Sequence, residues 1–183
     1  PAREIISAEA RATSHDTGVD IGVIDAAARM KHPLDARTLA RLAASFAGDG
    51  PGEVVGFGLS NDERVGSTAS FAPAFRIARR AGLVGVPHGG ELLGPASVRE
   101  VVSTLAPARL GHGVRTSEDP ALLRAVVDAG IALEVCPTSN VHLGVYTDFS
   151  QVPLPTLLSA GARIALAADD PPPFRPRLVA PYE

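Results

Sequence analysis

Apolar residues in this chain fall into short continuous runs, separated by stretches in which they recur at helical spacing. The runs from Val19 to Ala28, Val54 to Leu59, Leu83 to Val86, Arg109 to His112, Ile131 to Val135 and Arg163 to Ala168 read as six strands. Continuous apolarity, rather than strict alternation, is the pattern of a parallel sheet covered on both faces. Helices are expected over Ile5 to Thr17, over Leu34 to Ala47, and from a Ser67 cap to about Ala81. Further helices are expected from about Ser97 to Leu105, from Asp119-Pro120 to Gly130, and briefly over Pro155 to Ala160. Leu39, Leu42, Ala43 and Phe46 form one apolar stripe, while Gly18, Gly82, Gly130 and Gly161 stand where helices stop.

A helix followed by six strands with helices between them is the order of an α/β protein with right-handed crossovers. No linker interrupts residues 1–183, which read as one domain. Two architectures share this alternation, and the position of the unusual polar residues separates them. Such residues follow strand after strand: Asn61, Asp62 and Glu63, then His88 and Glu91, then His112, then Ser139 and Asn140, then Asp169 and Asp170. A (β/α)8 barrel gathers its site from many strand ends on one rim. A doubly wound sheet concentrates it at one switch point, usually with a glycine-rich phosphate loop. Gly56-Phe57-Gly58 lacks the third glycine of such a loop, with Asn61 in its place. The barrel is therefore expected, but six strands fall short of the roughly eight that close one. An incomplete TIM-type barrel is the fold this predicts.

Composition narrows the functions. Hydrophobic residues make up 45% and charged residues 20%, an ordinary globular balance. Seventeen basic against twenty acidic side chains give a net charge of −3, without long runs of one sign. That charge and the 4% aromatic content offer no footprint for nucleic acid. No apolar run approaches the roughly 20 residues that span a bilayer, so no membrane partner is expected. The start of the chain has no signal-peptide shape. One cysteine excludes internal disulfides and fits a reducing, cytoplasmic setting.

The candidate chemistry begins at Val84-Gly85-Val86-Pro87-His88-Gly89-Gly90-Glu91. A strand-end histidine can offer a ring nitrogen to a metal, or can simply bond a backbone carbonyl. His88 and Asp169 are ligand types suited to zinc, and His112 could be a third. Glu91 is a candidate proton donor or acceptor, because a carboxyl in a closed pocket titrates nearer neutrality. The rival role for Glu91 is a first-turn carboxylate on a helix dipole. His112, between Gly111 and Gly113, is placed for close approach to a ligand. Cys136 could be a nucleophile paired with His112, or a buried inert thiol. His15, His32 and His142 follow no motif and read as surface or loop residues.

These segments together resemble the adenosine deaminase family of the amidohydrolase superfamily. Pro87-His88-Gly89-Gly90-Glu91 is similar to its His-x-Gly-Glu motif, and Arg109-Leu110-Gly111-His112-Gly113 to its Arg-[Ile/Leu/Val]-Gly-His-Gly motif. Glu134-Val135-Cys136-Pro137-Thr138-Ser139-Asn140 resembles EVCPxSN, and Ala168-Asp169-Asp170-Pro171 resembles [Thr/Ala]-Asp-Asp-Pro. Val54 to Leu59 with Asp62-Glu63 matches VVGxDLxGxE loosely. The resemblance implies a zinc barrel that deaminates adenosine or a related 6-aminopurine nucleoside. His88 and Asp169 would bind Zn2+, Glu91 would protonate N1 of the purine, and His112 would orient or deprotonate the attacking water. Asp170 would hydrogen-bond the base, and the backbone at Asn61, where the family usually has glycine, would contact it.

The departures carry expectations too. The family's first strand bears a His-x-His pair that supplies two more zinc ligands, and none of the five histidines here forms one. Aligned to the family, the chain corresponds to strands 3 to 8, without the closing helices. Gly58 stands where many members have aspartate. Weak zinc binding and little turnover are expected of this polypeptide alone. A non-catalytic remnant that binds purines or a partner chain, or a deaminase of free adenine or a modified nucleoside, are the other readings.

Overall fold

In this computed structural model, residues 2–169 are described. The chain opens with α1 (Ala2–Thr17) and then alternates: β1 (Val23–Ala28), α2 (Pro33–Ala44), β2 (Val54–Ser60), α3 (Thr68–Arg80) and β3 (Val84–Gly89). The second half continues with α4 (Pro95–Leu105), β4 (Arg109–His112), α5 (Pro120–Asp128), β5 (Ala132–Val135), α6 (Pro137–His142), α7 (Leu154–Ser159) and β6 (Arg163–Leu166). Single 3-10 turns occupy Val114–Glu118 and Phe149–Gln151.

All six strands pair parallel, in the order β1-β2-β3-β4-β5-β6. Sequence order and spatial order coincide, so there is no point at which the sheet reverses. A doubly wound sheet needs that reversal, and a barrel wall does not. The fold is thus the expected α/β barrel wall, whose outer strands β1 and β6 each have one strand partner among the described residues.

Burial follows position in the wall. Val54, Phe57, Leu59, Leu110, Leu133 and Val135 on the inner strands are sealed, against the helix face of Ala40, Ala43, Phe71, Phe75, Val98, Val101 and Leu105. Phe57 and Phe75 meet edge to face at 5.3 Å, joining β2 to α3.

Local signals explain most boundaries. Asp119 caps α5, its carboxylate accepting from the amides of Ala121 and Leu122, with Pro120 at the first helical position. Two details correct the sequence reading. Ser67 holds the cap position of α3 but makes no side-chain capping bond. The segment 19–22 lies outside β1, which begins at Val23. His32, read as a surface or loop residue, is exposed just before α2 and also caps it, accepting from the amide of Leu34.

Candidate active site

Strand pairing brings the two motif histidines together. In the β3–β4 register His88 lies beside Gly111 and Gly89 beside His112, so each ring faces a residue with no side chain. A Cβ at Gly111 would sit 2.5 Å from Cδ2 of His88, so glycine there is what makes room for the ring. The two imidazoles meet edge to face with centroids 4.8 Å apart. Nε2 of His112 is 3.5 Å from Oε1 of Glu91. The amide of Asn140, itself fully buried, lies 3.5 Å from Nδ1 of His112, leaving Nε2 as the ring nitrogen that faces Glu91.

These side chains open onto a cavity of about 600 Å³ at the C-terminal ends of the strands. Ser60, Asn61, Asp62, His88, Glu91, His112 and Asp169 line it, with Arg64, Leu92 and Leu143. His88, Glu91, His112, Asp169 and Asn61, singled out from the sequence, therefore converge. Asp170 lies outside the described residues.

The backbone is bent at this rim. Asn61 (φ 70°), His112 (φ 62°) and Asp169 (φ 61°) occupy left-handed conformations that cost other side chains energy. Non-glycine residues in this region cluster where surrounding structure imposes them. At Asn61 the same φ accounts for the glycine expected there by resemblance.

Burial sets the charge states. Glu91 is pushed up to about 7, first by desolvation and then by the negative charges of Asp169, Glu63 and Asp62. His112 is lowered to about 4 by desolvation and by neighbouring His88. Desolvation likewise lowers His88, against the pull of Asp169 and Glu134. Near neutrality the contact between Glu91 and His112 is thus one between a carboxyl close to its own titration midpoint and an uncharged imidazole, rather than a fixed ion pair. Two uncharged imidazoles present free ring lone pairs, the state a metal ligand needs. Ligand atoms of His88, Glu91 and His112 lie within 4.8 Å of one another, as do those of His112, Cys136 and Asp169. This nitrogen-and-carboxylate donor set suits zinc. Cys136 is buried and its thiol is pushed up to about 12, chiefly by desolvation, which fits the inert reading and not the nucleophile.

Two residues given no role from the sequence hold the site's frame. Glu63 is buried, and its carboxylate accepts from the amides of Gly90 (2.7 Å), Glu91 (2.9 Å), Leu92 (2.6 Å) and Leu93 (2.9 Å) and from the Ser97 hydroxyl (3.0 Å). Arg29, just past β1, is also buried; it donates to the His88 carbonyl and to the Thr68 hydroxyl, each at 3.2 Å. For Arg29 the signal was an arginine following an apolar strand; Glu63 stood in the loose VVGxDLxGxE match without a role assigned to it.

Histidines and carboxylates from successive strand ends thus line one cavity on a barrel wall. The adenosine deaminase family model matches residues 3–183. This chain belongs to the adenosine deaminase family. A Streptomyces virginiae protein, provisionally assigned as an adenosine/adenine deaminase, is 56% identical over all of this chain and 53% of its own length. An adenine deaminase from Chelativorans is 44% identical over 91% of this chain and 50% of its own. Among solved structures, an adenine deaminase from Arthrobacter aurescens superposes with a TM-score of 0.85 at 30% identity, over 96% of this chain and 53% of that one. A zinc-bound amidohydrolase from Burkhoderia ambifaria matches with a TM-score of 0.78 at 26% identity, over 88% of this chain and 45% of that one. The chain thus spans about half the length of the curated relatives it matches. No helix among the described residues is long and apolar enough to cross a membrane.

Proposed function

We propose that this chain carries the acid–base half of a site for the hydrolytic deamination of a 6-aminopurine, giving the 6-oxo product and ammonia. The observation that carries this reading is Glu91 beside His112 on the common cavity, the carboxyl shifted up to about 7 and the imidazole held uncharged near neutrality. Replacing the amino group of a purine by water needs a proton delivered to the ring nitrogen and one removed from the nucleophile. Glu91, protonated up to about pH 7, is suited to donate to N1 of the base. His112 Nε2, across from it, is suited to orient the water and take its proton. The backbone at Asn61, which lines the same cavity, would contact the purine, and Asp170 would bond the base.

His88 and Asp169 would hold a zinc ion, with further ligands from a His-x-His segment that this sequence does not contain. When bound, zinc supplies acidification of water to near neutrality. Both histidine and carboxylate are ordinary zinc donors, and a zinc-bound relative of the same fold supports the choice. A nucleoside is the substrate the motifs first suggested; the adenine deaminases among the relatives favour the free base as a second reading.

The test measures metal content and turnover of adenine and adenosine by the absorbance change on deamination. It is run on the 183-residue chain and on the chain extended upstream by a His-x-His segment taken from a relative. Zinc retention and turnover in the extended form, on either purine, support the reading. Absence of turnover on both purines in a folded, zinc-loaded extended form overturns it.

A further inference from the structure

Glu91 has an unusual problem of placement. Among the described residues its carboxyl has a single polar approach within the site, the 3.5 Å contact with His112, which is too long to fix a side chain. Its position must come from the backbone, and the segment that carries it is a loop between β3 and α4. That loop is held at almost every polar group. The carbonyl of His88 accepts from Arg29, the carbonyl of Gly89 from the amide of Gly113, and the carbonyl of Gly90 from the amide of Arg115. The carbonyl of Leu92 accepts from the Arg115 side chain. The amides of Gly90, Glu91, Leu92 and Leu93 all converge on the one carboxylate of Glu63.

We infer that Glu63, with Arg29, is a positioning pair for the acid–base site: a buried anion gathers the peptide N–H groups around Glu91, and a buried cation holds the carbonyl of His88. Neither side chain is among those that line the cavity. Both come from strand ends earlier in the chain, Arg29 after β1 and Glu63 after β2, so the brace ties three neighbouring strand ends together. Opposite charges in the same buried region also support each other, since Glu63 acts on Arg29 across it. The amides of residues 90–93 wrap the carboxylate as a nest, which fixes their dihedral angles and with them the direction in which Glu91 leaves the chain. Gly90 takes φ 72° in that nest. Outer groups of this kind usually change activity by about 10- to 100-fold without touching substrate.

The inference rests on the deaminase reading for its catalytic consequence, but not for its structural one, and the test separates them. Amide hydrogen exchange is followed in the 183-residue chain for wild type, E63A, E63Q and E91Q. Steady-state kinetics are followed in the extended form. In E63A the amides of Gly90 to Leu93 should exchange at least about tenfold faster. kcat should fall about 10- to 100-fold while KM stays within about threefold, the signature of a misplaced acid and not of lost substrate contact. E63Q keeps the shape and one acceptor oxygen, so it should recover part of both, and it carries the comparison if E63A does not fold. E91Q should lose turnover yet leave the protection of Gly90, Leu92 and Leu93 intact. Unchanged exchange at residues 90–93 in folded E63A or E63Q overturns the brace, and so does a loss confined to KM. Absence of turnover in wild type would strike the deaminase reading alone, and exchange would still decide the brace.

Discussion

At the scale of single residues, Glu91 concentrates both the chemistry and the cost of the site. Its folded-state value of about 7 stands above the ordinary 4.5, so the folded chain binds more protons than the unfolded one across that window. The stabilising contribution is complete below about pH 4.5 and is lost as pH rises through about 7. His112, lowered from 6.5 to about 4, acts in the opposite sense: its contribution is present above 6.5 and is lost as pH falls toward 4. Comparison with E91Q isolates the carboxyl. In metal-free protein, with a chelator present, E91Q should melt near wild type at pH 5 and above it at pH 8. A difference that does not vary with pH would contradict the raised value. In the extended form E91Q should reduce kcat by about 10²- to 10⁴-fold. Gly111 offers a second check. G111A drives a methyl group onto the His88 ring, and overpacking of this kind costs about 1–3 kcal/mol. Equilibrium unfolding should show that loss, and zinc competition should show weaker retention because the ring is displaced. What the sequence displayed of the site, and what it hid, follows from how each residue acts. His88, Glu91, His112 and Asp169 were legible because they stand beside glycines or carboxylates at the ends of apolar runs. Glu63 and Arg29 act on backbone groups 27 to 30 and 59 positions away, and such long-range pairing leaves no periodic trace.

At the scale of elements, the strands were legible from apolarity and the helices from their stop residues, the six-residue α7 before Gly161 included, while α6 was not. α6 (Pro137–His142) begins with no side-chain capping bond at Cys136 and spans six residues, too few for a periodic stripe. The same segment had been noticed only for its motif, yet its helical turn is what delivers Asn140 to the edge of the His112 ring. Capping shows how position and interaction can part company. Asp119 and Ser67 both precede helices in the sequence, but only Asp119 bonds the amides it faces. D119A should therefore cost about 1 kcal/mol in urea unfolding, within the usual 0.5–2 range, and lose its pairing with Arg99 as well. S67A should stay within about 0.5 kcal/mol of wild type. Equal losses in the two variants would mean that the cap geometry has been misread.

At the scale of the whole molecule, the wall of strands is sealed in its middle and open at its sides. β2 is almost wholly buried, while β1 has only Ala27 buried among half-buried and exposed positions and β6 contains no buried residue. Parallel strands are normally covered on both faces, and among the described residues β1 and β6 are the least covered strands of the wall. Apolar side chains accumulate beside the β1 edge: Ile5 and Ile6 on α1, Val19 ahead of the strand, and Ile24 within it are all exposed. A free parallel edge next to such a patch is a template for association with another chain. The 183-residue chain purified alone should therefore associate with rising concentration in sedimentation velocity, and it should bind a hydrophobic dye. Adding a His-x-His segment taken from a relative should reduce both if it covers the hydrogen-bonding edge of β1 and the apolar surface together. Charged substitution at Ile24, which is exposed on the edge strand, should weaken association of the short chain, since an edge charge opposes strand-to-strand pairing. A short chain that stays monomeric and does not bind the dye would show that the β1 edge is covered within the chain itself, and the half-open wall would have to be redrawn.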